Sequence, residues 1–84
     1  MNNVGASAIQ DIKIERENGV YFNVVMSSAA GHYLGSVSYE DGYFSPNSRD
    51  TGYYPSADAV IVDFPDAITL DQAFECAKKD GYIK

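Results

Sequence analysis

Residues 17–43 read ENGVYFNVVMSSAAGHYLGSVSYEDGY, and most of the predicted sheet follows from these residues. The stretch contains two dipeptides that favour hairpin turns, Asn18-Gly19 and Asp41-Gly42, because Asn, Asp and Gly tolerate the positive φ of a tight turn. Between the two turns, two runs of residues alternate in polarity with the two-residue period of a strand. The stretch therefore predicts antiparallel strands over residues 20–27 and 32–40.

Alternation also predicts which side chains of the first of these strands share a face of the sheet. One face is formed by apolar residues, namely Val20, Phe22, Val24 and Met26. The other face is more polar and is formed by Tyr21, Asn23, Val25 and Ser27. In the following strand, Gly35 indicates a bulge or a close approach of another backbone segment, which would curl the sheet.

The flanking residues extend the sheet on both sides of this stretch. Alternation within residues 8–16 predicts a strand before the first turn, after a loose lead-in over residues 1–7. After the second turn, Tyr43 to Ser45 form a short strand that Pro46 is expected to end. Residues 45–58 are rich in turn-forming residues and predict a long loop.

The C-terminal third of the chain predicts one more strand and one helix. The apolar run over residues 59–64 is typical of a central strand covered on both faces. A helix over residues 69–80 begins with a capping box, in which Thr69 and Gln72 satisfy each other's backbone amides, and stops at Gly81. Its buried face is expected to carry Leu70, Ala73, Phe74 and Ala77.

Together these elements predict a single α+β domain over residues 1–84. A curled antiparallel sheet of four to five strands packs against one C-terminal helix. At 84 residues the chain is too short for a second core, and its 45% hydrophobic content is ordinary for a folded domain.

Charge and cysteine content exclude several classes of function. A net charge of −6 repels the phosphate backbone, so direct nucleic-acid binding is not expected. The single Cys76 can form neither an internal disulfide nor a paired-cysteine zinc site, which favours a reducing cytoplasm. No secretory signal or membrane-spanning apolar run is evident, so no membrane association is expected.

No set of residues predicts catalysis, a metal ion or a cofactor. His32 is the single histidine, and no nucleophile turn of the Gly-x-Ser-x-Gly form accompanies it. A small hydrolase using His32 is the alternative from another class. Cys76 is expected to be a packed, inert thiol. Four carboxylates with the wrong spacing for an EF-hand are interpreted as a solvated rim: Asp58, Asp63, Asp66 and Asp71.

Acidic and tyrosine side chains in the turns and the long loop predict a surface that binds a protein partner. Carboxylates attract a basic partner, and tyrosine is enriched at interfaces. The predicted contact residues are Glu17, Glu40, Asp41, Asp50, Tyr43, Tyr53 and Tyr54. The hypothesis requires that negative charge be gathered on one side of the domain, whereas an evenly acidic surface would only maintain solubility.

Two resemblances accompany this interpretation. Asp63-Phe64-Pro65-Asp66 followed by residues 69–78 resembles the end of a HicB-type antitoxin domain, where a Pro-Asp strand end precedes a Thr-capped helix. In size, charge and predicted fold, the chain is similar to small phage-encoded inhibitors of the anti-CRISPR type. That similarity implies a stoichiometric inhibitor, a monomer or homodimer in the host cytoplasm, that masks the basic nucleic-acid-binding surface of a defence nuclease complex. An antitoxin or immunity-type partner protein is the close alternative.

Overall fold

The computed structural model describes residues 14–83 and has an α+β fold. Its strands form one antiparallel sheet in chain order: β1 (Arg16–Glu17), β2 (Val20–Ser28), β3 (Gly31–Glu40) and β4 (Tyr43–Arg49). Two helices follow, α1 (Ala57–Asp63) and α2 (Leu70–Lys79). The predicted antiparallel sheet and C-terminal helix are confirmed, whereas the predicted lead-in over residues 1–7 and most of the strand over 8–16 lie outside the described residues.

Both hairpin turns form where the dipeptides predict them. The φ angles are 52° at Asn18, 83° at Gly19, 52° at Asp41 and 94° at Gly42. Left-handed backbone at both central residues is the geometry whose twist matches that of the flanking strands. The turns therefore fix the register of β1 with β2 and of β3 with β4.

The two helices contribute to two separate hydrophobic clusters that include residues from opposite faces of the sheet. The first cluster contains the buried residues Tyr21, Val24, Met26, Tyr33, Val37, Ile68, Ala73, Cys76 and Ala77. The second contains Val25, Leu34 and Val60, with Tyr54, Ala57, Phe64 and Ala67 packed against them. Because Val24 and Val25 are consecutive in β2, α2 packs on one face and α1 on the other.

The predicted faces of β2 are confirmed for Val24, Val25 and Met26 but are wrong for Tyr21, because the strand has a bulge at Asn23. Asn23 has a φ of 59°, and the register between β2 and β3 shifts between Tyr21 and Val24. The extra residue brings Tyr21 to the same face as Val24, so both are fully buried in the first cluster. Strict alternation predicts Tyr21 on the face opposite to that of Val24.

Strand β4 continues through Pro46, which the sequence predicted as its end. Val37 pairs with Pro46 and Ser36 pairs with Ser48, so Asn47 is an extra residue in β4. A proline is tolerated because β4 is at the edge of the described sheet and its missing N–H can face away from β3. The predicted close approach at Gly35 is confirmed, since a Cβ there would collide with the carbonyl oxygen of Ser48.

The predicted central strand over residues 59–64 is instead helix α1. Ser56 caps it by accepting a hydrogen bond from the amide of Ala59 at 3.1 Å. The helix buries Val60 completely and leaves Val62 78% exposed. A short apolar run fits either a helix or a strand, and here the N-cap favours the helix. The predicted loop over residues 45–58 is therefore confined to the part between Arg49 and Ala57.

Helix α2 confirms its predicted caps and, on its predicted buried face, confirms Ala73 and Ala77 but not Leu70 and Phe74. The Thr69 hydroxyl accepts from the Gln72 amide at 3.1 Å, and the Gln72 side chain accepts from the Thr69 amide at 2.8 Å. The predicted stop is confirmed, because Gly81 has a φ of 91°. Leu70 and Phe74 are each 41% exposed, because the helix packs through its small side chains, Ala73, Cys76 and Ala77.

Two hydrogen bonds to Asp80 join the end of α2 to the sheet. The buried Tyr21 hydroxyl donates to Asp80 Oδ2 at 2.9 Å, and Arg16 Nε donates to the same oxygen at 2.9 Å. Desolvation by burial, together with the hydrogen bond to Asp80, raises the pKa of the Tyr21 hydroxyl above its ordinary value of 10.0. The folded state therefore favours the neutral phenol.

The burial of Tyr21 and its hydrogen bond to Asp80 predict a loss of stability at alkaline pH. The pKa of the Tyr21 hydroxyl is higher in the folded state than in the unfolded state, so its contribution to stability is complete below pH 10. As the pH rises above 10, the free energy of unfolding falls by up to about 1.4 kcal/mol per pH unit. Urea unfolding at pH 8, 10 and 11 should show a shallower decline for Tyr21→Phe than for the wild type. Burial also raises the pKa of the Cys76 thiol. Ionisation of this thiol therefore contributes to the decline of stability with pH in both proteins. Identical slopes would contradict the assignment to Tyr21.

Candidate functional site

The two hairpin turns lie side by side at one end of the sheet. Val20, which follows the first turn, pairs with Ser38, which precedes the second. The amide of Tyr39 also donates to the carbonyl of Gly19 at 2.8 Å, so a backbone hydrogen bond joins β3 to the first turn. This end therefore carries the turn residues of two hairpins on one rigid support.

Four of the seven predicted contact residues lie at this end. Glu17, Glu40 and Asp41 are all exposed in or beside the turns. Tyr43 pairs with Glu40 across β3 and β4 and is 63% exposed, the largest exposure of any tyrosine in the described chain. We refer to Glu17, Glu40, Asp41 and Tyr43 as the hairpin end.

The other three predicted residues lie at the opposite end of the sheet. The amide of Asp50 donates to the carbonyl of Leu34, and Tyr54 pairs with His32 at the start of β3. Leu34 and Glu40 are six residues apart in one strand, so about 20 Å separates the two ends. The structure therefore does not bring the predicted residues together in one surface.

The two tyrosines at that opposite end have local structural roles. The Tyr54 hydroxyl donates to Asp63 Oδ2 at 2.8 Å, and this hydrogen bond raises the pKa of the Tyr54 hydroxyl. The ring of Tyr53 lies 4.9 Å from the Arg49 guanidinium and 5.8 Å from the ring of the buried Tyr33. Their contacts stabilise the connection between β4 and α1. A binding partner is therefore not needed to explain the presence of tyrosines at these two positions.

The carboxylates of the hairpin end have no cationic partner among residues 14–83. The salt bridges of this part of the chain join Arg16 to Asp80 and Lys78 to Glu75. Arg16, the basic residue next to Glu17, is thus already engaged by a carboxylate of α2's C-cap. The negative potential of the hairpin end is therefore not neutralised within the described residues.

The two residues considered for chemistry are both partly or wholly enclosed. Cys76 is buried, and desolvation raises the pKa of its thiol, which keeps it protonated at neutral pH. His32 Nδ1 is buried and has no hydrogen-bond partner within residues 14–83. The same part of the chain contains no three His, Cys, Asp or Glu side chains placed to hold a metal ion. Neither of its helices is long and apolar enough to span a membrane.

A groove beside Asn23 is a feature that the sequence did not reveal. The sequence predicts Asp63 and Asp66 only as part of an acidic rim, yet both line this groove together with the bulged residue of β2. One signal was present, because asparagine is depleted in strands and tolerates positive φ, so Asn23 in mid-strand indicates a bulge. The partner segment over residues 63–67 could not be inferred, since it was predicted as a strand end.

Searches of protein-family models, of curated proteins and of solved structures find no match to the chain.

Proposed function

We propose that this chain is a noncatalytic protein-binding module whose hairpin end occupies a basic surface of a partner protein. The observation that carries the proposal is that three carboxylates, Glu17, Glu40 and Asp41, lie at one end of the sheet and have no cationic partner among residues 14–83. The exposed Tyr43 beside them supplies the aromatic contact area that interfaces favour. Charge complementarity with the partner then orients the two proteins and increases their association rate.

The ordered backbone of the two turns favours the use of these carboxylates as replacements for phosphates. Each turn has two central residues in left-handed backbone, and the turns are joined through the hydrogen bond from Tyr39 to Gly19. An ordered backbone loses little conformational entropy on binding, which increases affinity. We infer that the partner surface is one that normally binds nucleic acid, and that the module inhibits it stoichiometrically. Similarity to anti-CRISPR inhibitors favours a defence nuclease complex as the partner.

The proposal is tested by neutralising the hairpin end. The variant Glu17→Gln/Glu40→Gln/Asp41→Asn removes three charges with little change of shape. Immobilised wild type is expected to retain a nucleic-acid-binding protein from a bacterial lysate at 0.1 M salt and to release it near 1 M, because the Debye length falls from about 10 Å to about 3 Å. The variant should bind the purified partner at least tenfold more weakly, and nucleic acid should displace the wild type from it.

The matched control neutralises three exposed acids away from the hairpin end. Asp50→Asn/Asp58→Asn/Asp71→Asn makes the same change in net charge and should bind like the wild type. Equal weakening by both triple variants would show that only total charge matters and would overturn the assignment. His32→Ala is the test of the hydrolase alternative, which predicts loss of function in that variant alone.

A further inference from the structure

A groove of about 240 Å³ lies at the edge of the sheet, beyond the point where β1 stops pairing with β2. It mixes acidic, amide and apolar side chains, which are Asn23, Asp63, Phe64, Pro65, Asp66 and Ala67. None of these residues belongs to the hairpin end, so the groove is a separate feature of the surface.

Backbone hydrogen bonds hold both walls of the groove in place. One wall is the bulge at Asn23, whose carbonyl accepts from the amide of Ile68 at 2.9 Å. The amide of Val25 returns a hydrogen bond to the carbonyl of Ile68 at 2.8 Å. The other wall is the turn after α1, closed by the hydrogen bond from the Ala67 amide to the Phe64 carbonyl at 2.9 Å. The groove is therefore formed before any ligand arrives.

The groove is electronegative. Asp63 Oδ2 accepts the Tyr54 hydroxyl, which orients the carboxylate and leaves its second oxygen without a hydrogen bond among the described residues. Asp66 forms no salt bridge with any cation of residues 14–83. The side chain of Asn23 holds a third carboxylate nearby by donating to Glu15 at 3.1 Å. The last turn of α1 also contains no basic residue.

The volume of the groove and the side chains that line it indicate which kind of ligand fits. Sites for small molecules typically measure about 300 to 1,000 Å³, so this groove suits one side chain better than a whole cofactor. Its apolar lining, Phe64, Pro65 and Ala67, matches a methylene stem, and its carboxylates match a cationic head. A calcium ion requires about six to eight oxygen ligands, more than two carboxylates supply.

We propose that this groove binds the side chain of a lysine or arginine presented by a protein partner. The aliphatic stem lies against Pro65 and Phe64, and the charged head contacts Asp63 and Asp66. The inference goes beyond the proposed function because the groove is separate from the hairpin end. It can also be tested without the partner.

The test uses ¹⁵N-labelled protein and Nα-acetyl-lysine N-methylamide as the probe. Titration should produce saturable shifts of the backbone amide resonances of Asn23, Asp66 and Ala67, with a Kd on the order of 1 to 10 mM, as expected for one side chain. The same probe acetylated at Nζ lacks the charge and should produce no saturable shift. Equal shifts with both probes, or no saturation with the charged one, would overturn the proposal.

Matched variants separate the groove from general electrostatics. Asp63→Asn/Asp66→Asn should weaken probe binding at least tenfold, while Asp58→Asn/Asp71→Asn, with the same charge change, should bind like the wild type. Equal weakening in both would refute a specific groove, as would displacement of the probe by 5 mM calcium chloride. The hairpin-end triple variant should bind the probe normally, so this proposal and the proposed function fail independently.

Discussion

Replacing Gly35 by alanine is expected to lower the free energy of unfolding by about 3 kcal/mol, at the upper end of the range for overpacked sites. The added Cβ would collide with the backbone carbonyl of Ser48, which cannot rotate away as a side chain could. Relief requires β4 to separate from β3 where Ser36 pairs with Ser48. For a chain of this length, total stability is roughly 4 to 12 kcal/mol, so the loss is a large fraction of it.

Gly52→Ala is the matched control for this prediction. A Cβ at Gly52 meets no atom of residues 14–83 within 4 Å, so the same substitution should change stability by less than about 0.5 kcal/mol. Urea unfolding monitored by tyrosine fluorescence and by circular dichroism measures both variants. Equal stabilities of Gly35→Ala and Gly52→Ala would show that β4 does not approach β3 as closely as described.

Substituting aspartate at two positions of α1 should give very different results. Val60→Asp places a carboxylate in the fully buried second cluster, next to Val25 and Leu34, and should destabilise the fold by about 4 kcal/mol. Val62→Asp affects a side chain that is 78% exposed and should change stability by less than about 0.5 kcal/mol. Thermal and urea unfolding of the two variants gives the comparison.

The contrast between these variants distinguishes a helix from a strand. Residues two apart share a face in a strand but lie about 200° apart around a helix. A strand covered on both faces would bury both valines, and both aspartates would then be strongly destabilising. Similar large losses at Val60 and Val62 would therefore restore the strand that the sequence predicted.

Local chemistry made several elements predictable from the sequence. Asn18-Gly19 and Asp41-Gly42 each need positive φ at two positions, a requirement that few residue pairs meet. Thr69 and Gln72 form a reciprocal cap over four residues, so the start of α2 depends on nothing distant. In each case, the residues that form the contact are close together in the chain.

The errors arose where tertiary contacts decided between local alternatives. The valines of α1 suit a strand, but Ser56 begins a helix and the second cluster accepts Val60 alone. A proline would end a central strand, but Pro46 is tolerated in β4 because one side of that strand is unpaired in the described sheet. The candidate contact residues lie at two ends of the sheet, and the sequence could not predict this because the path of the chain after β4 depends on tertiary contacts.

The groove shows this limit most clearly. Asn23 and residues 63–67 meet only because Ile68 pairs with β2, and no local pattern indicates that pairing. Their charges were visible in the sequence, but their proximity was not.

The pairing of Ile68 with β2 also bears on the order in which the protein folds. The hairpins that link β2, β3 and β4 close short loops, whereas the bonds between Asn23 and Ile68 close a long one and carry a greater entropic cost. We expect the three-stranded meander to form early and the segment from α1 to α2 to dock afterwards. Transient opening of that segment would then erase the groove while leaving the two turns intact.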